Sequence, residues 1–596
     1  MALRIAVLVK QVPRFEELRL GRDGRLERDG LELELNPYCR RAVSKGVELA
    51  RATGGTVTVF TLGPPAAEDA LREAVAWGAD EGVLITDPAF AGSDTLATAR
   101  ALATALEREG PWDLILAGRN SVDADTGQVP PEVAELLDLP FLAGVRELDV
   151  DTSARSVSVR CEYDDGWARA GAPLPLLLSC AERLCEPAKV DPEGRAAVAA
   201  NRLRRLAAGD LGRGPWGQAG SPTTVGQVRT LEVERQRFRP GGGVDEQVAA
   251  AVAFLQDRGA LTGAPAAPAI AETVTSATGG DGPAIAVILE PARPGLAREL
   301  LGRAARLAET LGGRVIALGP DPLDAAELGR WGADEAVVLD GLRLEADVAS
   351  AVSAWCGAGQ PWAVLTGATL WGREVASRVA ARLGAGLTGD AVDLDVTGGR
   401  LIGWKPAFGG SLVAAITATS PVQLATVRPG ILPRLAPRQA DPAGIVHYDH
   451  PPASPIRILE SERDDELDAL ARAEVVVGVG TGVPPGEYPA LHELLEMLGA
   501  ELAATRKVTD KGWLPRARQV GITGRSIGPR LYVAIGIAGK FNHTVGIRGA
   551  GAVLAINQDP GALIFAAADA GIVADWRDAV PLLVTALRSS STVAVP

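Results

Sequence analysis

The residues of this 596-residue chain best suited to chemistry lie towards its C-terminal end. Val475-Val-Val-Gly-Val-Gly-Thr-Gly482 reads as a buried strand running into a glycine turn. Backbone N–H groups at such a turn, with a helix expected over Pro489–Leu498, can hold a phosphate. The spacing is not G-x-G-x-x-G, so a merely tight turn explains it equally well. Val520-Gly-Ile-Thr-Gly524 is a second glycine-rich element, ahead of the strand Leu531-Tyr-Val-Ala-Ile535. That strand ends in Gly536-Ile-Ala-Gly-Lys-Phe-Asn-His543, and the next in Ile556-Asn-Gln-Asp559. Ligands of open α/β sheets bind beyond the carboxyl ends of strands, so these segments are expected to converge on one crevice. Glycines there permit close backbone approach. Thr523, Asn542, His543 and Asn557 supply hydrogen-bonding groups, and Arg506 a permanent positive charge. By itself Arg506 reads as a solvated helix residue. No nucleophile–base pair, metal-ligand spacing or Walker lysine accompanies them. Such a site suits a bound cofactor whose own chemistry does the work.

The elements that position these residues follow a long internal repeat. Trp77-Gly-Ala-Asp-Glu81 recurs as Trp331-Gly-Ala-Asp-Glu335. Upstream of each lie a Gly-Gly pair, a strand and Leu-Gly-Pro: Gly54-Gly55 to Pro64, and Gly312-Gly313 to Pro320. Downstream lie Pro111-Trp112 and Pro361-Trp362, each leading into a strand. Apolar runs alternating with amphipathic stretches indicate parallel sheets covered on both faces. The predicted fold class is therefore α/β, with three Rossmann-like, adenine-nucleotide-type domains, two of them a pseudo-repeat. The expected bounds are 1–262, a linker over 263–282, 283–450, and 451–596. A net charge of −14 argues against a nucleic-acid partner. No apolar run reaches the length of a transmembrane segment. The N-terminus reads as a first strand, and five scattered cysteines form no disulfide framework, so a cytoplasmic location is expected.

The C-terminal third resembles the FAD domain of the electron transfer flavoprotein α subunit. The matching stretches are Ala504-Thr-Arg506, Gln519-Val-Gly-Ile-Thr-Gly524, Pro529-Arg-Leu-Tyr532, Gly536 to His543, Ala555-Ile-Asn-Gln-Asp-Pro560 and Asp569-Ala-Gly-Ile-Val-Ala-Asp575. Residues 283–440 resemble that subunit's N-terminal domain through Gly367 to Arg373, Leu387-Thr-Gly-Asp390, Lys405 to Gly410 and Gln423 to Gly430. Residues 1–260 resemble the β subunit through Val9 to Pro13, Asn36 to Cys39, Asp123 to Val129 and Gly220 to Thr223. The chain looks like β and α fused head to tail.

The resemblance implies a FAD-dependent one-electron carrier rather than a substrate-converting enzyme. Its partners would be a dehydrogenase as electron donor and a quinone oxidoreductase-type acceptor. Arg506 would sit near the flavin N5 side and favour a one-electron stop, and His543 would face the flavin O2 region. Thr481, Thr505, Val520, Gly521, Ile522, Thr523, Gly524, Gly536, Ala538, Gly539, Lys540, Phe541 and Asn542 would contact FAD, with Asn557 and Asp575 at its ADP end. A second nucleotide, AMP or FAD, would be held by Leu8, Asn36, Cys39, Leu62, Gly118, Asp123, Asp125, Thr126, Gln128 and Val129. Thr481, Thr505, Ile522 and Asn542 depart from the family's arginine, serine, glutamine and glutamine. The Asp123–Glu135 stretch leans towards the Fix and bifurcating branch. Two alternatives stay open: an NADH-dependent bifurcating flavoprotein with two FADs, and a non-redox adenine-nucleotide-binding module.

Overall fold

The computed structural model describes residues 2–13, 19–20, 26–27, 32–164, 166–230, 235–261, 273–275, 282–407, 412–432, 435–463, 469–470, 473–521, 524–525 and 527–589. The chain forms two units, Met1–Arg229 with Thr273–Phe408 and Leu412–Arg463, and Thr230–Glu272 with Gly409–Ser411 and Asp464–Pro596. The fold is mixed α/β, with largely parallel sheets as the hydrophobic pattern predicts.

The first unit contains both copies of the repeat. In one sheet the strands Glu81–Ile85, Thr56–Leu62, Arg4–Leu8, Leu114–Gly118, Leu176–Cys180 and Phe141–Asp151 lie side by side in that order. In the other, Glu335–Leu339, Arg314–Pro320, Ala284–Ile288, Ala363–Gly367, Gln423–Val427 and Gly386–Ala391 repeat the order. Register repeats as well, Ile5 facing Val57 and Ile285 facing Val315.

The recurring motifs have a physical reason. Gly78 and Gly332 end helices at φ of 136° and 122°, where a side chain is strained. Ala79 and Ala333 are buried. Asp80 and Asp334 each accept the backbone N–H of a neighbouring strand, from Val57 at 2.7 Å and Val315 at 2.8 Å. In the Gly-Gly pairs, a Cβ on Gly55 would overlap the Leu3 carbonyl, and one on Gly313 that of Pro283.

Ser156–Tyr163, Gly166–Pro173 and Arg457–Arg463 extend the first sheet by antiparallel pairing. The last of these comes from the segment whose sequence suggested the final domain. Proline-rich composition marks a flexible stretch without saying which body the residues beside it join.

The second unit is a five-stranded parallel sheet in the order Glu501–Ala504, Val475–Val479, Leu531–Ile535, Ala552–Asn557, Ala570–Val573. All residues of the central strand Leu531–Ile535 are buried, as expected for a strand covered on both faces. The helix Val244–Asp257 belongs to this unit: Val248, Ala251, Val252 and Leu255 are buried with Trp576, Val580 and Leu583 of the helix Trp576–Ser589. A buried ion pair at 2.8 Å joins Arg235 to Asp569. No helix among the described residues is long and apolar enough to cross a membrane.

Candidate functional site

In the second unit the chain runs outward one way from Val475–Val479 and then the other way to Leu531–Ile535. These adjacent strands form the topological switch point, beyond whose carboxyl ends a doubly wound sheet binds ligands. Gly480 and Gly482 leave one strand and Gly536, at φ of 61°, leaves the other. A Cβ on Gly480 would overlap the Gly536 carbonyl, and one on Gly482 would lie 3.1 Å from it. The backbones therefore touch at the floor of the crevice. Thr481, Gly482, Gly524, Ala538 and Lys540 are exposed around it. Glycine at Gly539 is required because its backbone, at φ of 76°, lies against the Ile564 N–H. This glycine-floored crevice fits a group that needs close backbone approach.

Thr505 and Arg506 follow the neighbouring strand, the Thr505 N–H donating to Val479 O at 3.1 Å. Arg506 Nε donates to Asp510 Oδ2 at 3.2 Å on the half-exposed face of a one-turn helix. Val520 N–H donates to Ala504 O at 2.9 Å, bringing the Gln519–Gly521 segment to the same edge. Gly521 N–H donates to Arg525 O and Gly524 N–H to Gly521 O, both at 3.0 Å, closing the turn. Ile522 and Thr523 lie outside the described residues, as do the side chains of Phe541 and Asn542. Asn557 is engaged internally, its Nδ2 donating to Ile537 O and its Oδ1 accepting from Asp559 N–H, both at 2.9 Å. Asp575 Oδ1 accepts from Arg577 N–H at 2.9 Å.

His543 is buried, and both ring nitrogens have protein partners. Nδ1 lies 3.1 Å from Val520 O and Nε2 3.0 Å from the Tyr532 hydroxyl. A carbonyl only accepts, so Nδ1 carries the hydrogen and Nε2 accepts from Tyr532. Burial pushes the pKa of His543 down to about 4, against the Val520 hydrogen bond. Tyr532 was one apolar letter among others in its strand. The signal available was that a buried tyrosine hydroxyl needs a partner.

The first unit has its own switch point, between Arg4–Leu8 and Leu114–Gly118. Residues 119–128 loop out beyond it before the helix Val129–Leu136 begins. Leu8 and Gly118 are buried at the strand ends, Cys39 is buried beside Gly118 in the helix Pro37–Thr53, and Leu62 is half-buried. Buried Asn36 pins the loop, its Nδ2 donating to Asn120 O at 2.8 Å and its Oδ1 accepting from Val122 N–H at 3.2 Å. Lys10 pairs with Asp123 at 2.7 Å. Asp125 and Gly127 turn the chain at φ of 47° and 64°, with Thr126 between them. Gln128 is buried, and Val129 starts the helix.

Cations of the second repeat, absent from the sequence-derived site, gather on this loop. Arg373 Nη1 donates to Asp125 O at 2.9 Å and Lys405 Nζ to Ala124 O at 2.8 Å. Asp390 pairs with Arg373 at 3.3 Å and with Arg428. Burial pushes the Lys405 ammonium down to about 8, while Asp390 and Asp125 resist. These cations stood in the quoted stretches Gly367–Arg373, Lys405–Gly410 and Gln423–Gly430, but their distance in sequence from Asp125 hid the shared position.

Residues 23–203 and 293–453 match the electron transfer flavoprotein domain, and residues 469–548 the electron transfer flavoprotein FAD-binding domain. The chain is 34% identical over 300 residues to the protein FixB of Clostridium saccharobutylicum, covering 48% of this chain and 90% of that protein. It is 36% identical over 260 residues to the electron transfer flavoprotein subunit beta of Thermoanaerobacterium thermosaccharolyticum, covering 43% of this chain and 99% of that protein. It is also 34% identical over 313 residues to subunit alpha of the same organism, covering 49% of this chain and 93% of that protein. With both subunit types matched in one polypeptide, the chain belongs to the electron transfer flavoprotein family, as a fusion of its β and α parts with an FAD-binding domain.

Proposed function

We propose that the chain carries electrons one at a time from a dehydrogenase to a quinone oxidoreductase-type acceptor, through FAD held at the switch point of the second unit. The observation that carries this reading is the glycine-floored crevice of Gly480, Gly482 and Gly536, lying in and beside the segment that matches the FAD-binding domain. Bound there, the isoalloxazine supplies the redox chemistry.

The chain's own residues set its terms. Thr481, Thr505, Val520, Gly521, Gly524, Gly536, Ala538, Gly539, Lys540 and His543 line the approach. Arg506 is the fixed cation beside the ring. Adding an electron adds negative charge, which a nearby guanidinium favours. His543 stays neutral, and through Nδ1–H it holds the Val520 carbonyl and with it the Gln519–Gly521 turn. Asn557 and Asp575 stand at the outer end, for the adenosine part.

The first unit holds a second nucleotide, AMP or FAD, beyond Leu8 and Gly118, within reach of Asn36, Cys39, Leu62 and the Asp123–Val129 loop. The excess of Arg373, Lys405 and Arg428 over Asp125 and Asp390 supports a phosphate-bearing ligand there.

Nucleotide content per chain after denaturation tests both parts. One or two equivalents of FAD, with AMP completing the pair, are expected. Absence of flavin bands, with no uptake of added FAD, would sink the carrier reading. Two flavins bleached by NADH would move the protein to the bifurcating branch. Arg506→Ala should lower the first one-electron potential by on the order of 50 mV, about 1 kcal/mol. An unchanged potential removes Arg506 from its role.

A further inference from the structure

The helix Val129–Leu136 hides a hydrogen-bonding conflict at its first turns. Thr95 Oγ1 lies 2.9 Å from Gln128 Oε1 and 3.1 Å from Glu132 Oε1. One hydroxyl hydrogen cannot serve two acceptors. Gln128 and Glu132 are 1% and 0% exposed, so solvent does not resolve the conflict. Gln128 Nε2 and Glu132 Oε2 are buried with no hydrogen-bond partner among the described residues. Gln128 Nε2 points towards Gly389, where an added Cβ would come within 2.7 Å of it.

Two proton arrangements resolve the conflict at the Thr95 hydroxyl. If Glu132 carries a proton, its O–H donates to Thr95, Thr95 donates to Gln128 Oε1, and the Gln128 amide presents N–H outward. If Glu132 is ionised, Thr95 must donate to it. Gln128 then turns over to donate to Thr95 and presents its oxygen outward.

We infer that Glu132 is a proton-bearing positioning residue which, through Thr95, decides whether Gln128 offers the second nucleotide a donor or an acceptor. The inference rests on the nucleotide reading of the Asp123–Val129 loop given above.

The surroundings favour the protonated arrangement. The charged groups facing Glu132 come from the helix Thr95–Glu109: Asp94 at its N-cap opposes ionisation and Arg100 favours it. On its own helix, Glu135 is taken up by Arg378 at 2.8 Å and by Arg382, both from the helix Leu370–Leu383 packed alongside. Burial, then Asp94, push Glu132 up to about 8. At neutral pH Gln128 therefore presents N–H groups, suited to a phosphate oxygen or a ring acceptor. A ligand that uses that donor binds the protonated form. Its affinity is full below pH 8 and falls as pH rises through that value.

The test is equilibrium titration of nucleotide-stripped full-length protein with AMP, and separately with FAD, from pH 6.5 to 9.5. Wild-type second-site affinity should fall by up to ~10-fold per pH unit above pH 8. Glu132→Gln removes that titration and should show a shallower fall, that of the Lys405 ammonium alone. Thr95→Val should bind more weakly at every pH, with the same shallower profile. Circular dichroism and uptake of added FAD by the C-terminal site confirm that each variant is folded. Parallel profiles for wild type and Glu132→Gln overturn the inference while the nucleotide reading stands. If neither AMP nor FAD binds the first unit at any pH, both fall together.

Discussion

The two copies of the repeat build the same sheet and end their switch-point strands in opposite ways. After Gly118, residues 119–128 loop out before a helix begins, and that loop leaves buried Gln128 Nε2 without a partner. After Gly367, only residues 368–369 precede the helix Leu370–Leu383. There the helix start is filled from within the protein. Thr369 Oγ1 accepts from Gly372 N–H at 3.0 Å and donates to Glu290 Oε2 at 2.6 Å. Asp164 Oδ2 accepts from Leu370 N–H at 2.6 Å, and Arg293 Nε donates to Glu290 Oε1 at 2.7 Å. A helix N-terminus favours negative charge. In the second copy the protein's own carboxylates supply it; in the first, buried Gln128 Nε2 beside the helix start has no partner among the described residues.

The sharpest way to break this comparison is to remove the filler. Glu290→Ala deprives Arg293 and Thr369 of a buried carboxylate and should destabilise the first unit by about 4 kcal/mol, read from denaturant midpoints. It should create no nucleotide site, because no loop replaces the acid. Uptake of AMP by the second copy would show that the acid alone separates the two. The second unit sharpens the contrast, since its switch point is backed by neutral His543. An unfolded histidine titrates near 6.5, and His543 in the fold near 4. The unfolded chain therefore binds the extra proton between these values. Stability is full above pH 6.5 and falls by on the order of 3 kcal/mol as pH drops to 4. His543→Gln should flatten that window in urea titrations; an unchanged slope would mean that other groups dominate it.

Much of the frame was legible in the sequence. The Trp-Gly-Ala-Asp-Glu repeat marks a helix cap, a buried residue and a strand-pinning carboxylate, all local features that local sequence records. Strand ends carrying Gly480, Gly536 and Asn557 were legible for the same reason. Glu132, Thr95 and Glu290 were not. Each reads as an ordinary polar letter in a helix or loop, and only long-range packing buries Glu132 and Glu290 and sets Thr95 between Gln128 and Glu132. The bounds of the units were obscured likewise, because Val244–Asp257 and Arg457–Arg463 join their sheets and helices across many residues of chain.

Gln128→Ala probes the open side of the comparison. Removing a buried amide whose Nε2 has no internal partner should cost the second nucleotide roughly 10- to 100-fold in affinity, about 1–3 kcal/mol. Stability without nucleotide should shift by less than about 0.5 kcal/mol, since the fold loses one hydrogen bond and one buried, unpartnered amide together. A large loss of apo stability with unchanged affinity would make Gln128 a structural residue.

The smallest effect is expected on the filled side. Thr369 is the N-cap of Leu370–Leu383, the position matching the open loop of the first copy. Thr369→Ala removes a cap that typically contributes about 1 kcal/mol. Glu290 keeps Arg293, and Asp164 keeps the Leu370 N–H, so two of the three internal fillers remain. Calorimetry should therefore show a small drop in Tm with AMP and FAD stoichiometry unchanged. A change in stoichiometry instead would mean that the second copy binds nucleotide in its own right, and the two strand ends would differ in degree rather than in kind.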